Sequence, residues 1–128
     1  MLNPNMTTLY VDDAEASGKF YASLLGRPPV DASPAFVLFA ADGGLMLGLW
    51  KRDTVQPAAG DGTGGAGGTE VTFAVGEEAE VDATCADWKK HGIQIAQEPV
   101  NMPFGRTFVG VDPDGHRLRV YAQSQDGS

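Results

Sequence analysis

Leu9-Tyr10-Val11-Asp12-Asp13, followed by Phe20-Tyr21 and Leu24-Leu25-Gly26, is the stretch whose reading decides the fold. Thr8 to Val11 is a short strand signal of β-branched, aromatic and aliphatic residues. Asp12 and Asp13 supply an N-cap and negative charge where a helix begins. The helix is expected from Ala14 to Leu25, with Phe20 and Leu24 one turn apart and Tyr21 and Leu25 beside them as an apolar stripe. Gly26 ends it, and Pro28-Pro29 prevent its return. Ala35 to Ala41, the turn Asp42-Gly43-Gly44 and Leu45 to Trp50 then read as a hairpin.

The same order recurs downstream. Glu70 to Val75 reads as a strand and Glu78 to His91 as a helix, with Val81, Cys85 and Trp88 on one face and Gly92 as its stop. Ile93 to Val100 is extended. Arg106 to Val111 and Arg117 to Ala122 flank Asp112-Pro113-Asp114-Gly115, where proline and glycine suit a tight turn. Sliding one half onto the other places Gly44 on Gly115, Leu47 on Leu118 and Trp50 on Tyr121. Between the halves lies Pro57 to Gly68, PAAGDGTGGAGG, too poor in large side chains to pack a core and expected to act as a connector. The reading is one domain over residues 1–128, made of a module at 7–52, a Gly-rich linker at 57–68 and a module at 69–123. Each module runs strand, helix, then two or three strands.

The chain has 128 residues, 42% of them apolar and 20% charged, enough to bury roughly 68% of its unfolded surface. Nine Lys and Arg against 17 Asp and Glu give a formal net charge of -8, which disfavours a nucleic acid or an anionic membrane as partner. No apolar run is long enough to span a bilayer, and the N-terminus has no signal-peptide pattern. The single cysteine, Cys85, excludes an internal disulfide and a cysteine-cluster metal site. Cytoplasm is the expected compartment. No nucleophile elbow, P-loop or dinucleotide fingerprint appears, since no strand precedes the glycines of 60–68.

Two βαβββ modules carrying these motifs resemble the vicinal oxygen chelate superfamily, which includes glyoxalases, extradiol dioxygenases, bleomycin-binding proteins and fosfomycin-modifying enzymes. The resemblance covers about Met6 to Ala122. It implies an α+β fold in which two βαβββ modules form curved, cup-shaped mixed sheets with the helices outside. Ser33-Pro34-Ala35-Phe36 through Leu47-Gly48-Leu49-Trp50 is similar to one subgroup, the phenazine-antibiotic resistance proteins, small dimeric members that bind an aromatic drug. That subgroup implies a homodimer.

Metal-using members place His, Gln or Glu on four strands of the cup. Aligned to that pattern, the four positions are Met6, Gly48, Glu70 and Arg119. Only Glu70 is a donor for a hard or borderline cation, and Arg119 carries a permanent positive charge. His91, at a helix end, reads as a dipole cap, and His116 as exposed beside a turn. The expectation is no metal and no cofactor. Strand alternation then adds Met46 and Trp50 beside Gly48, and Tyr121 beside Arg119. A hairpin register pairing Phe108 with Arg119 and Phe39 with Met46 brings in those two rings, while a slip of one residue exchanges Phe39 for Phe36 or Leu38. Phe104 joins from the Asn101–Gly105 loop, as a lid or as a subunit contact. The candidate site is therefore Met6, Phe39, Met46, Gly48, Trp50, Glu70, Phe104, Phe108, Arg119 and Tyr121. Gly48 leaves floor space, Trp50 and Tyr121 are equivalent rings for clamping a flat ligand, and Glu70 and Arg119 can pair.

The function expected is a metal-free binding protein that sequesters a planar aromatic compound such as a phenazine, with no catalytic residue. The alternatives are a metal-dependent lyase, isomerase or dioxygenase of the same fold, a metal-free enzyme with Glu70 as base, and a scaffold without a small ligand. Cys85 and Trp88 are read as core.

Overall fold

A computed structural model describes residues 2–59, 68–113 and 116–123. The turn residues Asp114 and Gly115 and most of the expected linker lie outside the described residues. The chain divides into two compact units, Asn5–Thr69, and Glu70–Ser128 together with Met1–Pro4. The fold is α+β, and each unit is a βαβββ module with a mixed sheet.

In module one, β1 (Pro4–Val11) is followed by α1 (Ala14–Leu25), then β2 (Asp31–Ala32), β3 (Phe36–Ala40) and β4 (Met46–Lys51). The caps are those the sequence supplies. Asp13 accepts the amide of Ala16 at 3.0 Å, and Gly26 takes φ 68° to close the helix on Ala22. β1 and β4 pair in parallel, and β2, β3 and β4 pair antiparallel, giving the order β2-β3-β4-β1. Ala14, Val37, Phe39 and Leu49 form the core between α1 and the sheet, with Leu9, Tyr21 and Leu47 packed around them. The expected helical stripe divides, because Gly18 sits close on Val37 while Phe20 and Leu24 turn outward, 62% and 66% exposed. The connector also departs from expectation at its start. Ala59 is buried with Tyr10 and Val55 against Trp50, since even an alanine gains by leaving water where a ring offers a wall.

Module two repeats the plan with β5 (Thr69–Val75), α2 (Glu78–Lys90), β6 (Gln94–Met102), β7 (Gly105–Val111) and β8 (Arg117–Gln123). β5 and β8 are parallel and β6, β7 and β8 antiparallel. Val81 and Cys85 of α2 pack on Phe108, Val120 and Ala122, with Phe73, Trp88 and Ile95 around them. Trp88 lies over Gly110, where an added Cβ would stand 2.7 Å from its ring, so the glycine is what lets the indole reach the sheet. The expected Asn101–Gly105 loop is shorter than read. Asn101 and Met102 are still paired, with Arg106 and Gly105, leaving Pro103 and Phe104 at the tip.

The hairpin register differs by one residue from the sequence expectation, in both modules alike. Phe39 pairs with Leu47 and Phe108 with Val120, while Leu38 meets Gly48 and Val109 meets Arg119. The turns are the cause. Ala41 N–H bonds the carbonyl of Leu45 and Asp112 N–H that of His116, and the Asp112 carboxylate also accepts the His116 amide. Each closure fixes a register that sends Phe39 and Phe108 to the helix side, where they are fully buried.

Candidate functional site

Alternation leaves a second face on each sheet, away from its helix. In module one that face carries Met6, Thr8 and Tyr10 from β1, Phe36 and Leu38 from β3, and Met46, Gly48 and Trp50 from β4. Met6 pairs with Met46, Thr8 with Gly48 and Tyr10 with Trp50. Four of the expected site residues, Met6, Met46, Gly48 and Trp50, are thus neighbours. The open floor expected at Gly48 is filled: a Cβ there would lie 2.8 Å from the tip of the Phe36 ring and 3.1 Å from the Thr8 hydroxyl. Trp50 stands edge-on between two rings, 6.4 Å from Tyr10 and 6.2 Å from Phe36. These geometries are favourable for aromatic pairs, and Trp50 remains half-exposed.

The corresponding face of module two is polar at its centre. Arg119 Nε donates to Glu70 Oε2 at 2.8 Å, and both side chains are almost fully buried. Arg119 Nη1 donates to the Thr107 hydroxyl, which in turn donates to the carbonyl of Val120. The Thr72 hydroxyl reaches the same Glu70 oxygen at 3.4 Å. A buried ion pair is tolerable only when its remaining polar atoms are met in this way. The Arg119 guanidinium carbon lies over the ring of Phe104, from the β6–β7 tip, 5.9 Å from its centroid, and that ring is edge-on to Tyr121 at 6.0 Å. The tip can bend so sharply because Gly105 has φ 142° and no room for a Cβ against the carbonyl of Ala122. Glu70, Phe104, Arg119 and Tyr121 are therefore one cluster.

Phe39 and Phe108 leave the candidate site, because the observed register puts them in the helix-covered cores. Residues missed by the sequence reading are Tyr10, Phe36, Thr8 and Thr107. The signal for Phe36 was the slip already named; the threonines carried none, since a threonine on a strand is ordinary. Cys85 is in the core as expected, and burial first, then the charge of Glu98, push its thiol up, which makes it a poor nucleophile. His91 caps α2, its Nδ1 2.8 Å from the Asp87 carbonyl.

The four positions that the resemblance aligns with the metal ligands of the superfamily hold few donors. Met6 and Gly48 offer no hard donor, Arg119 repels a cation, and Glu70 is engaged by Arg119. Among the described residues no three His, Cys, Asp or Glu side chains gather where an ion could be held.

Residues 3–120 match the family model of the Glyoxalase/Bleomycin resistance protein/Dioxygenase superfamily. The chain belongs to this superfamily. Within it, the phenazine antibiotic resistance protein EhpR of Enterobacter agglomerans is 33% identical over 122 residues, covering 93% of this chain and 91% of that one. A crystal structure described as an NAD-dependent benzaldehyde dehydrogenase from Legionella pneumophila is 40% identical, with a TM-score of 0.85, over 94% of this chain and 100% of that one. A superfamily member from Vibrio splendidus 12B01, 20% identical with a TM-score of 0.58 over 97% of this chain and 100% of that one, shares the fold. The superfamily fold hosts several chemistries, so the choice among them rests on the residues of the two sheet faces. No helix among the described residues is long and apolar enough to cross a membrane.

Proposed function

We propose that this protein captures a planar aromatic small molecule of the phenazine class without metal and without turnover, so that bound drug is withheld from its target by mass action. The observation that carries the reading is the content of the family ligand positions. Two of them hold Met6 and Gly48, and the other two, Glu70 and Arg119, neutralise each other. Beside them stand rings, Trp50 with Tyr10 and Phe36, and Tyr121 with Phe104. Rings give large flat contact area at low entropy cost, and Met6 and Met46 adapt to shape. Likeness to a phenazine resistance protein supports the same class of ligand.

The dinucleotide named for the Legionella protein does not fit these residues. A dinucleotide fingerprint needs strand, glycine turn and helix in succession, whereas the glycine run here leads into strand β5. A metal-dependent lyase, isomerase or dioxygenase needs donors that the four positions do not have. We further propose a homodimer, for which Phe20, Leu24 and Val30, each more than 60% exposed, offer apolar area to a second copy. With its only cysteine a free thiol, the protein suits the cytoplasm.

The test is a fluorescence titration of the metal-stripped protein with phenazines and other planar aromatics. Saturable quenching at micromolar or lower concentration, weakened at least tenfold in Trp50→Ala and kept in Trp88→Phe, is the expected outcome. No saturable binding across the panel, or tight stoichiometric metal in the purified protein with metal-dependent turnover, would reject the reading. Light scattering reports the dimer separately.

A further inference from the structure

We propose that Glu70 sets the charge selectivity of the module-two face, making it a site for uncharged planar rings and not for aromatic carboxylates. The inference rests on the aromatic-binding reading above and names the ligand class more narrowly.

An arginine in a drug-binding face would ordinarily be the group that captures a ligand carboxylate, through charge-assisted and often paired hydrogen bonds. Arg119 is not offered in that way. Its Nε is held by Glu70 at 2.8 Å and its Nη1 by Thr107 at 3.2 Å. Its guanidinium carbon lies over the Phe104 ring, 5.9 Å from the centroid. The residue is 2% exposed, and Glu70 likewise. An incoming carboxylate would have to compete with the buried Glu70 carboxylate for the same guanidinium, and two carboxylates brought together there repel each other in a desolvated setting. The surface the cluster does present is Phe104, 36% exposed, and the half-buried Tyr121, both uncharged rings. Arg117, the other guanidinium on this face, is buried and opposite Glu70 in register, about 13 Å along β8 from Tyr121 at the usual rise per residue. The net charge of -8 also opposes an anionic ligand. Glu70 touches no ligand in this scheme. It acts through Arg119, as a positioning residue.

The experiment measures dissociation constants for two probes, phenazine and phenazine-1-carboxylate, at pH 7.5 in the wild type, Glu70→Gln and Glu70→Gln/Arg119→Met. The wild type is expected to bind phenazine about tenfold more tightly than the carboxylate. Glu70→Gln should shift that ratio at least tenfold toward the carboxylate, because Arg119 is then released to meet it. The double variant should restore the preference for the neutral ring, a result that a merely structural role for Glu70 would not give. Circular dichroism checks that each variant is folded. If Glu70→Gln does not fold, Phe104→Ala decides: it removes the ring beside Arg119 and leaves Glu70 in place, so the ratio should stay with the neutral ring, and a shift toward the carboxylate there would overturn the role given to Glu70. A wild type that prefers the carboxylate, or a folded Glu70→Gln with an unchanged ratio, would overturn the inference while leaving aromatic binding intact. Failure of both probes to bind would overturn the aromatic-binding reading and this inference with it.

Discussion

Where module one has Met6 and Gly48, module two has Glu70 and Arg119 at the same places on the same strands. Both modules keep one topology, one register and one helix-covered core, with Phe39 and Phe108 pinned in each. Their second faces have gone opposite ways. Module one removed the side chain at Gly48 and let Phe36 fill the space. Module two put a full charge there, answered it with a carboxylate and the Thr107 hydroxyl, and met the carboxylate in turn with the Thr72 hydroxyl. The helix side is constrained by packing, because every Å² of apolar area buried there contributes to stability. The opposite side is constrained only by having its polar groups satisfied, and that can be done with rings or with ions.

The largest expected effect comes from breaking the ionic solution in module two. Glu70→Gln removes the carboxylate that is ion-paired with the buried Arg119 and should cost about 3–5 kcal/mol in denaturant unfolding. Glu70→Gln/Arg119→Met, which gives module two an apolar centre like that of module one, should recover most of that loss. A double variant whose cost equals the sum of Glu70→Gln and Arg119→Met measured singly would show that the two residues act independently. The next effect belongs to module one. Gly48→Ala presses a methyl group onto Phe36 and Thr8 and should cost about 1–3 kcal/mol by overpacking. Phe36→Leu in the same chain should relieve it, because the contact is with the end of a side chain. A neutral Gly48→Ala would mean that the floor is looser than it stands.

A smaller effect separates the two faces as binding surfaces. Trp50→Ala should weaken phenazine binding about tenfold, or about 1.4 kcal/mol, and Tyr121→Ala is the matching change on the module-two face. Loss in only one variant would assign the ligand to one module. The smallest effect is a pH dependence confined to the core of module two. Burial, then Glu98, raise the Cys85 thiol, so the folded state favours its protonated form. The stabilisation is complete at and below neutral pH and is lost as pH rises through the folded thiol's range. Thermal scans should therefore show an alkaline decline that Cys85→Ala flattens. An identical decline in both chains would remove Cys85 as its source.

Much of this is legible in the sequence. α1 begins and ends where Asp13 and Gly26 dictate, because capping is a local matter of a few adjacent residues, and α2 begins at Glu78 as read. The pairing of Glu70 with Arg119 was foreseeable as a possibility from alternation and internal symmetry. Phe39 and Phe108 were misplaced for a definite reason. Their face depends on which residues close the turns at Ala41–Leu45 and Asp112–His116, and a one-residue difference there reverses every side chain on the strand. The outward turn of Phe20 and Leu24 was likewise invisible. A helical stripe two residues wide does not say which edge meets the sheet, and the close seat of Gly18 on Val37 decides it.

The sequence by itself determined the repeated βαβββ order, the helix ends, the placing of Cys85 and Trp88 in a core and the poverty of metal donors at the four family positions. Those follow from local chemistry and from residue identity, neither of which needs a third dimension. Tertiary structure alone decided that Phe36 occupies the space above Gly48, that Arg119 meets the Phe104 ring and that Thr107 accepts from the same guanidinium. Each is a meeting of side chains far apart along the chain, fixed by strand register and turn closure, for which no single segment carries the information.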